Sequence, residues 1–204
     1  MAADVPLRCS CGSVRGVLRE ASESTGNRIV CYCDDCQSFA HFLGRANDVL
    51  DAWGGTDIFQ TSPARVEITE GREHLACVRL RPKGMRRWYA ECCRTPLGNT
   101  ISGSLPFVGV IASSLDDPDE ARGPVRARVN ARFAKGDRSS LDAHDRGPLS
   151  LVLRVVGILL GSRLRGDQRR SPFYDPETLE PIAKPRVLTE DELARVEATR
   201  DASG

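Results

Sequence analysis

Seven of the eight cysteines of this 204-residue chain fall into three tight groups: Cys9 with Cys11, then Cys31, Cys33 and Cys36, then Cys92 with Cys93. Thiolates at such spacings are suited above all to holding a soft or borderline metal ion, and zinc is the usual one. Cys33-Asp-Asp-Cys36 is the strongest of the signals, because a tight turn across C-x-x-C brings two sulfurs within reach of one ion. Cys9-Ser-Cys11 does the same only where the backbone turns sharply, and Gly12 permits that turn. The adjacent pair Cys92-Cys93 is weak alone, since neighbouring side chains diverge on an extended strand. Counting ligands predicts two zinc sites. Cys31, Cys33 and Cys36 make a three-thiolate site, either open in its fourth position or closed by a residue such as Cys77 or His41. Cys9, Cys11, Cys92 and Cys93 assemble the other from two remote pairs. Cys77 is otherwise an ordinary small strand residue.

These groups need rigid elements to carry them. Val14–Leu18, Arg28–Cys31, Arg65–Thr69, Leu75–Arg81 and Met85–Tyr89 are rich in β-branched and aromatic residues, with turn formers between them, and read as strands. Pro82-Lys83-Gly84 separates two of these runs as a hairpin turn would. In the first of them Ala76, Val78 and Leu80 alternate with Cys77, Arg79 and Arg81, which predicts one buried face. Phe39, Phe42, Leu43 and Ala46 recur at helical spacing and predict a short helix within Gln37–Asp51. Pro148–Leu164 reads as one helix rich in Leu, Val and Ile, destined to pack on the β domain or on a second copy of the chain. Thr189 and Glu192 form a capping box that starts a last helix. Ser171–Val187, with four prolines, is expected to run extended along the surface.

The fold class that follows is mainly β, with a helical C-terminal extension, divided as residues 1–116 and 117–204. The formal net charge is +1, which excludes a whole-protein electrostatic grip on nucleic acid. That neutrality is a cancellation: residues 119–170 carry twelve basic and six acidic side chains, and residues 171–204 carry four basic and eight acidic ones. The arginines of the basic stretch are spread out and little interleaved with aromatics, so a solvated face is expected rather than a nucleic-acid site. The longest apolar run, Leu149–Leu160, is interrupted by Arg154 and too short to span a bilayer. No secretory leader pattern is evident, and clustered rather than spaced cysteines fit a reducing, cytoplasmic setting.

Taken in order, Cys9-Ser-Cys11-Gly12-Ser13-Val14, Cys31-Tyr32-Cys33-Asp34-Asp35-Cys36 and Cys92-Cys93-Arg94-Thr95-Pro96-Leu97 resemble the glutathione-dependent formaldehyde-activating enzyme family. That family shares its zinc-binding domain with centromere protein V. Its pattern is C-x-C-G-x-V, then C-H-C-x-x-C, then F-C-x-x-C-G-T-P-L, and the resemblance covers roughly residues 7–112. It implies an Mss4-like β domain with two zinc ions. Cys9, Cys11 and Cys93 would belong to a structural site, and Cys31, Cys33 and Cys36 to a second site associated with glutathione or its hydroxymethyl adduct. Three positions depart from the pattern. Arg94 stands for the usual glycine, Tyr32 for the usual histidine, and Ala90 for the earlier cysteine of the third motif. Either Cys92 replaces that cysteine through a shifted backbone, or the structural site has three thiolates.

A three-thiolate zinc is a weak Lewis acid but holds an incoming thiolate well, which suits a carbon–sulfur lyase acting on a glutathione-like thiol adduct. Asp34, Asp35 and His41 are the neighbouring acid–base groups; no catalytic or substrate-binding residue is assigned. The alternative is a non-enzymatic zinc module whose extension mediates protein or nucleic-acid contact. The expected partners are a small thiol and, through the extension, a second copy of the chain; neither a membrane nor nucleic acid is expected.

Overall fold

The computed structural model describes residues 2–116 and 121–203. Its strands are β1 (Ala3–Arg8), β2 (Arg15–Ala21), β3 (Gly26–Cys31), β4 (Thr56–Thr61), β5 (Val66–Glu70), β6 (Leu75–Arg79), β7 (Arg86–Ala90), β8 (Thr95–Thr100), β9 (Val108–Ile111), β10 (Ala127–Val129) and β11 (Arg186–Val187). The helices are α1 (Asp34–Phe42), the single turn α2 (Ala46–Val49), α3 (Leu149–Leu164) and α4 (Glu190–Ala202). The protein is mainly β with a helical C-terminal part, as the residue pattern predicts.

Three strands form a small antiparallel sheet in the order β1-β2-β5, and eight form a large one in the order β10-β3-β4-β9-β8-β7-β6-β11. The six inner strands of the large sheet pair antiparallel, whereas β10 and β11 join its two ends in parallel. Both end strands come from the chain beyond residue 121, so that region extends the sheet that the earlier residues build. The expected boundary after residue 116 adjoins positions 117–120, which lie outside the described residues.

The main core fills the space between the sheets. Leu7, Leu18 and Val66 face Phe59, Trp88, Leu97 and Val110, all at most 3% exposed. The opposite face of the large sheet is covered as well, where Phe39 and Leu43 at α1 meet Val78, Leu80, Ile111 and Leu188. This double cover corrects the expectation of one buried face for residues 76–81. Val78 and Leu80 are buried on one side and Leu75 and Cys77 on the other. β8 is buried at every residue for the same reason.

The hairpin at Pro82-Lys83-Gly84 joins β6 to β7, with the Gly84 N–H donating to the Arg81 carbonyl at 2.9 Å. The helix expected within 37–51 begins three residues earlier, at Asp34, and is interrupted at Gly44, whose φ is +65°. The capping box at α4 forms as predicted: the Glu192 N–H donates to Thr189 Oγ1 at 3.2 Å, and the Thr189 N–H to Glu192 Oε2 at 3.0 Å. The proline-rich segment 171–187 is not merely superficial. Phe173 stacks on Trp88 with ring centroids 4.9 Å apart, and the Tyr174 hydroxyl lies 2.7 Å from Thr100 Oγ1, so two aromatics pin the segment into the main core. No helix among the described residues is long and apolar enough to cross a membrane.

Candidate metal centres

The sharp turn foreseen at Gly12 forms between β1 and β2, where Gly12 has φ +79° and its N–H donates to the Cys9 carbonyl at 3.0 Å. The turn folds Cys11 back over Cys9, and the Val14 N–H points at Cys9 Sγ from 3.2 Å. The turn between β7 and β8 brings Cys92 and Cys93 to the same place. All four sulfurs lie within 4.8 Å of one another. Cys11 Sγ is 3.3 Å from Cys92 Sγ and 3.5 Å from Cys9 Sγ, and Cys9 and Cys93 each stand 3.9 Å from Cys92. A disulfide needs about 2.05 Å. Four sulfurs at about 2.3 Å around one tetrahedral ion stand about 3.8 Å apart, and the spacings bracket that value.

Ala90 does not approach this group. It pairs with Thr95 inside the ladder and its methyl sits in the main core. Cys92, at the tip of the turn, supplies the fourth sulfur instead. The turn is closed at Arg94, which adopts φ +59°, and the Arg94 N–H donates to the Ala90 carbonyl at 2.7 Å. A side chain in the left-handed region costs about 1 kcal/mol that glycine avoids. The Arg94 guanidinium donates to the Phe42 carbonyl at 2.5 Å and lies over the Phe42 ring, contacts that offset part of this strain. Arg94→Gly and Arg94→Ala both lose those contacts, so Arg94→Gly is expected to be the more stable of the two by about 1 kcal/mol in urea unfolding.

The polar surroundings of the four thiols are uneven. Burial opposes ionisation of Cys93, but hydrogen bonds from Ser10, Thr95 and the Cys11 and Thr95 backbone outweigh it and bring its pKa down to about 5. Hydrogen bonds from Ser13 lower that of Cys11. Loss of water from around its sulfur, followed by the hydrogen bonds it shares with Cys11, Cys93 and Cys9, pushes Cys92 up to about 12 although the residue lies at the surface.

The second group sits where β3 runs into α1. The Cys36 N–H donates to the Cys33 carbonyl at 3.0 Å, the tight turn expected of C-x-x-C, and the sulfurs of Cys31, Cys33 and Cys36 lie within 4.8 Å of one another. Cys31 and Cys36 are buried and Cys33 is partly exposed. Among the described residues no fourth Cys, His, Asp or Glu joins them. Cys77 lies in the main core, and His41, at the far end of α1, lines a separate cavity with Asp51 and Lys135. Asp34 and Asp35 occupy the first turn of α1, but each faces arginine: Asp35 meets Arg81 and, at 3.7 Å, Arg87, and Asp34 meets Arg200 of α4 at 3.6 Å. Tyr32 turns its ring away from the thiols into a cluster with Val30 and Ala134, and its hydroxyl donates to Asp51 at 3.1 Å.

Two residues of this second group carry no signal in the spacing of the sequence. Arg87 on β7 is 2% exposed, with Nη1 3.9 Å from Cys36 Sγ and 3.3 Å from Asn99 Oδ1, and its guanidinium stacks on the Phe39 ring. Asn130 Nδ2 donates to Cys31 Sγ at 3.3 Å. Both place positive or donor character against the sulfurs.

The three thiols hold their protons tightly. The hydrogen bond with Cys33, burial and repulsion raise Cys31 to about 11. The bond with Cys31, then burial, raises Cys36 to about 12. For Cys33 the bond with Cys31 acts downward but is outweighed by Cys36 and burial, again to about 12. A metal ion must displace these protons. Uptake at this group is therefore expected to release close to three protons per ion at pH 7, so affinity falls as pH falls. Calorimetry in buffers of different ionisation enthalpy measures this number, and a value of one or less would contradict the thiol assignment.

A family model described as a family of unknown function, DUF6151, matches residues 1–184. The chain belongs to that family. No curated protein matches it. Among solved structures, the crystal structure of a Rhodobacter sphaeroides protein is similar over 56% of this chain and 90% of its own length, at 13% identity and a TM-score of 0.41.

Proposed function

We propose that this member of the family is a two-zinc protein of the formaldehyde-activating type. Cys9, Cys11, Cys92 and Cys93 would hold a structural ion, and Cys31, Cys33 and Cys36 an ion that receives a small thiol such as glutathione. The observation that carries the reading is the second group: three gathered sulfurs, one of them partly exposed, and no fourth protein ligand among the described residues. The left-handed backbone at Arg94 supports it too, because the pattern this sequence resembles has glycine there.

A zinc ion bound by three cysteines would supply a fourth position that favours an incoming thiol in its ionised form. The chain's own residues do the rest. Arg87 and Asn130 spread the negative charge of the sulfurs, and α1 fixes the C-x-x-C turn. On a hydroxymethyl thioether the reaction breaks the carbon–sulfur bond. Sulfur leaves with the bonding pair, the hydroxyl proton passes to solvent, and formaldehyde departs.

The test is metal analysis of wild type beside Cys33→Ser, with glutathione titrated into cobalt-substituted protein. The reading expects two ions in wild type, one in Cys33→Ser, and a change in the cobalt spectrum on thiol addition that the variant lacks. Formaldehyde release from S-hydroxymethylglutathione then follows in wild type only. Two ions without any spectral response to thiols would leave a non-enzymatic zinc module. That second reading draws on Leu151 of α3, which packs in the same apolar cluster as Cys31 and Cys36 and crowds the site.

A further inference from the structure

We propose that the outward face of α3 binds a second copy of this chain, helix against antiparallel helix. This proposal is independent of the metal reading. α3 is inverted relative to an ordinary surface helix. Its inward side buries Leu151 and Ser162 and turns Arg154 toward Asn27, whose Oδ1 accepts at 2.9 Å. Its outward side carries Leu149, Val152, Leu153, Val156, Leu160 and Leu164, each between 42% and 89% exposed. Leu149, Leu153, Val156 and Leu160 follow one another at intervals of four, three and four, the narrow seam by which two helices interlock. Arg154 is the one charged residue between 149 and 162, and it points inward, so the seam has no charge along its middle.

The charge at the two ends of the helix selects the occupant and its orientation. Residues 163–170 hold four arginines and one aspartate, and residues 142–148 hold two aspartates and one arginine. Parallel pairing would set the two arginine-rich ends side by side. Antiparallel pairing brings each arginine-rich end to the partner's 142–148 end, where the acidic residues outnumber the one arginine, and opposes the helix dipoles. An anionic lipid surface would attract the arginine-rich end but repel the aspartate end. Sixteen residues span about 24 Å. A contact of that length lies at the small end of specific interfaces, so association is expected at roughly 1–100 μM.

Sedimentation of the full-length, metal-loaded protein across that concentration range tests the proposal. Wild type is expected to pass from monomer to dimer, while Leu153→Glu and Leu160→Glu remain monomeric with unchanged metal content and little change in melting temperature, because both side chains are exposed. Orientation is read by oxidative cross-linking with identification of the linked peptides. With Leu164 closing the seam that Leu149 opens, Val156 lies at its middle, so Val156→Cys is expected to link to its own copy, and Leu149→Cys, at the end, is not. A wild-type monomer at every concentration overturns the proposal, as does a dimer indifferent to both glutamates. Equal self-linking by Leu149→Cys and Val156→Cys overturns the antiparallel arrangement. A monomer that sediments with phosphatidylserine vesicles, and loses that behaviour in Leu160→Glu, gives the face to a lipid surface instead.

Discussion

Cys92→Ser is expected to lower the melting temperature of the metal-loaded protein by roughly 8–16 °C. The four sulfurs it belongs to come from two turns 81 or more residues apart, and an ion among them would tie the small sheet's β1–β2 turn to the β7–β8 turn of the large sheet. An ion that binds only the folded chain, at about a thousand times its dissociation constant, contributes about 4 kcal/mol. In a chain of this length each kcal/mol moves the midpoint by about 2–4 °C. Serine keeps the size of the side chain but not a soft, ionisable donor, and Cys92 is exposed, so the substitution costs little packing. Calorimetric scans of wild type and variant, each with and without a chelator, separate the effects. Chelation is expected to bring wild type down to the variant and leave the variant almost unmoved. A wild-type midpoint that ignores the chelator would remove the structural ion.

Arg87→Gln is expected to cost about 3–5 kcal/mol of stability and to weaken metal binding at Cys31, Cys33 and Cys36 by 10- to 100-fold. The guanidinium is nearly sealed from solvent, and its partners are Asp35, Cys36, Asn99 and the Phe39 ring. Glutamine retains a donor for Asn99 but no charge, so in the metal-loaded protein the three thiolates lose the buried cation that faces them, while Asp35 keeps Arg81. With metal bound, the three sulfurs and a divalent ion carry one net negative charge, and Arg87 is the buried cation that faces it. Urea unfolding reads the stability change, and competition with a chromophoric chelator reads the affinity. Loss confined to the second ion supports the placement. Equal weakening of both ions would mean that the substitution acts through general loosening. Arg87→Lys, which restores the charge without the planar fork, is expected to recover part of the affinity.

The contrast between Cys36 and Arg87 shows how far the residue pattern reaches. Cys33 and Cys36 are legible because three bonds of turn geometry bring them together whatever the rest of the chain does. Gly12, the Pro82–Gly84 hairpin and the Thr189–Glu192 cap are legible on the same ground: each is a local backbone event with a residue type that suits it. Arg87 is different. In sequence it is one of two neighbouring arginines on a strand, Arg86 and Arg87, and nothing local says which will be buried. Alternation places them on opposite faces, and only the docking of α1 against one face decides that Arg87 lies beneath the thiols. The expectation of a single buried face at residues 76–81 fails for a related reason. A period-two pattern reports a contrast between faces, and a strand covered on both sides has little contrast to report. Phe173 and Tyr174 were expected on the surface because their neighbours are prolines, yet a short extended segment still directs two rings into a core that has room for them.

By itself, the sequence determined that this protein carries a C-x-C turn, a C-x-x-C turn and a third cysteine pair on a mainly β scaffold with helices at its C-terminal end. These follow from short-range sterics and from the residue types that tolerate them. Only the tertiary structure decided that Cys92 rather than position 90 completes the first group, that no fourth protein ligand among the described residues approaches the second, and that the apolar side of α3 faces outward. Each of those depends on strand register and on what packs against which face. Such contacts join residues far apart in the chain, and local energies of a few tenths of a kcal/mol per residue do not specify them.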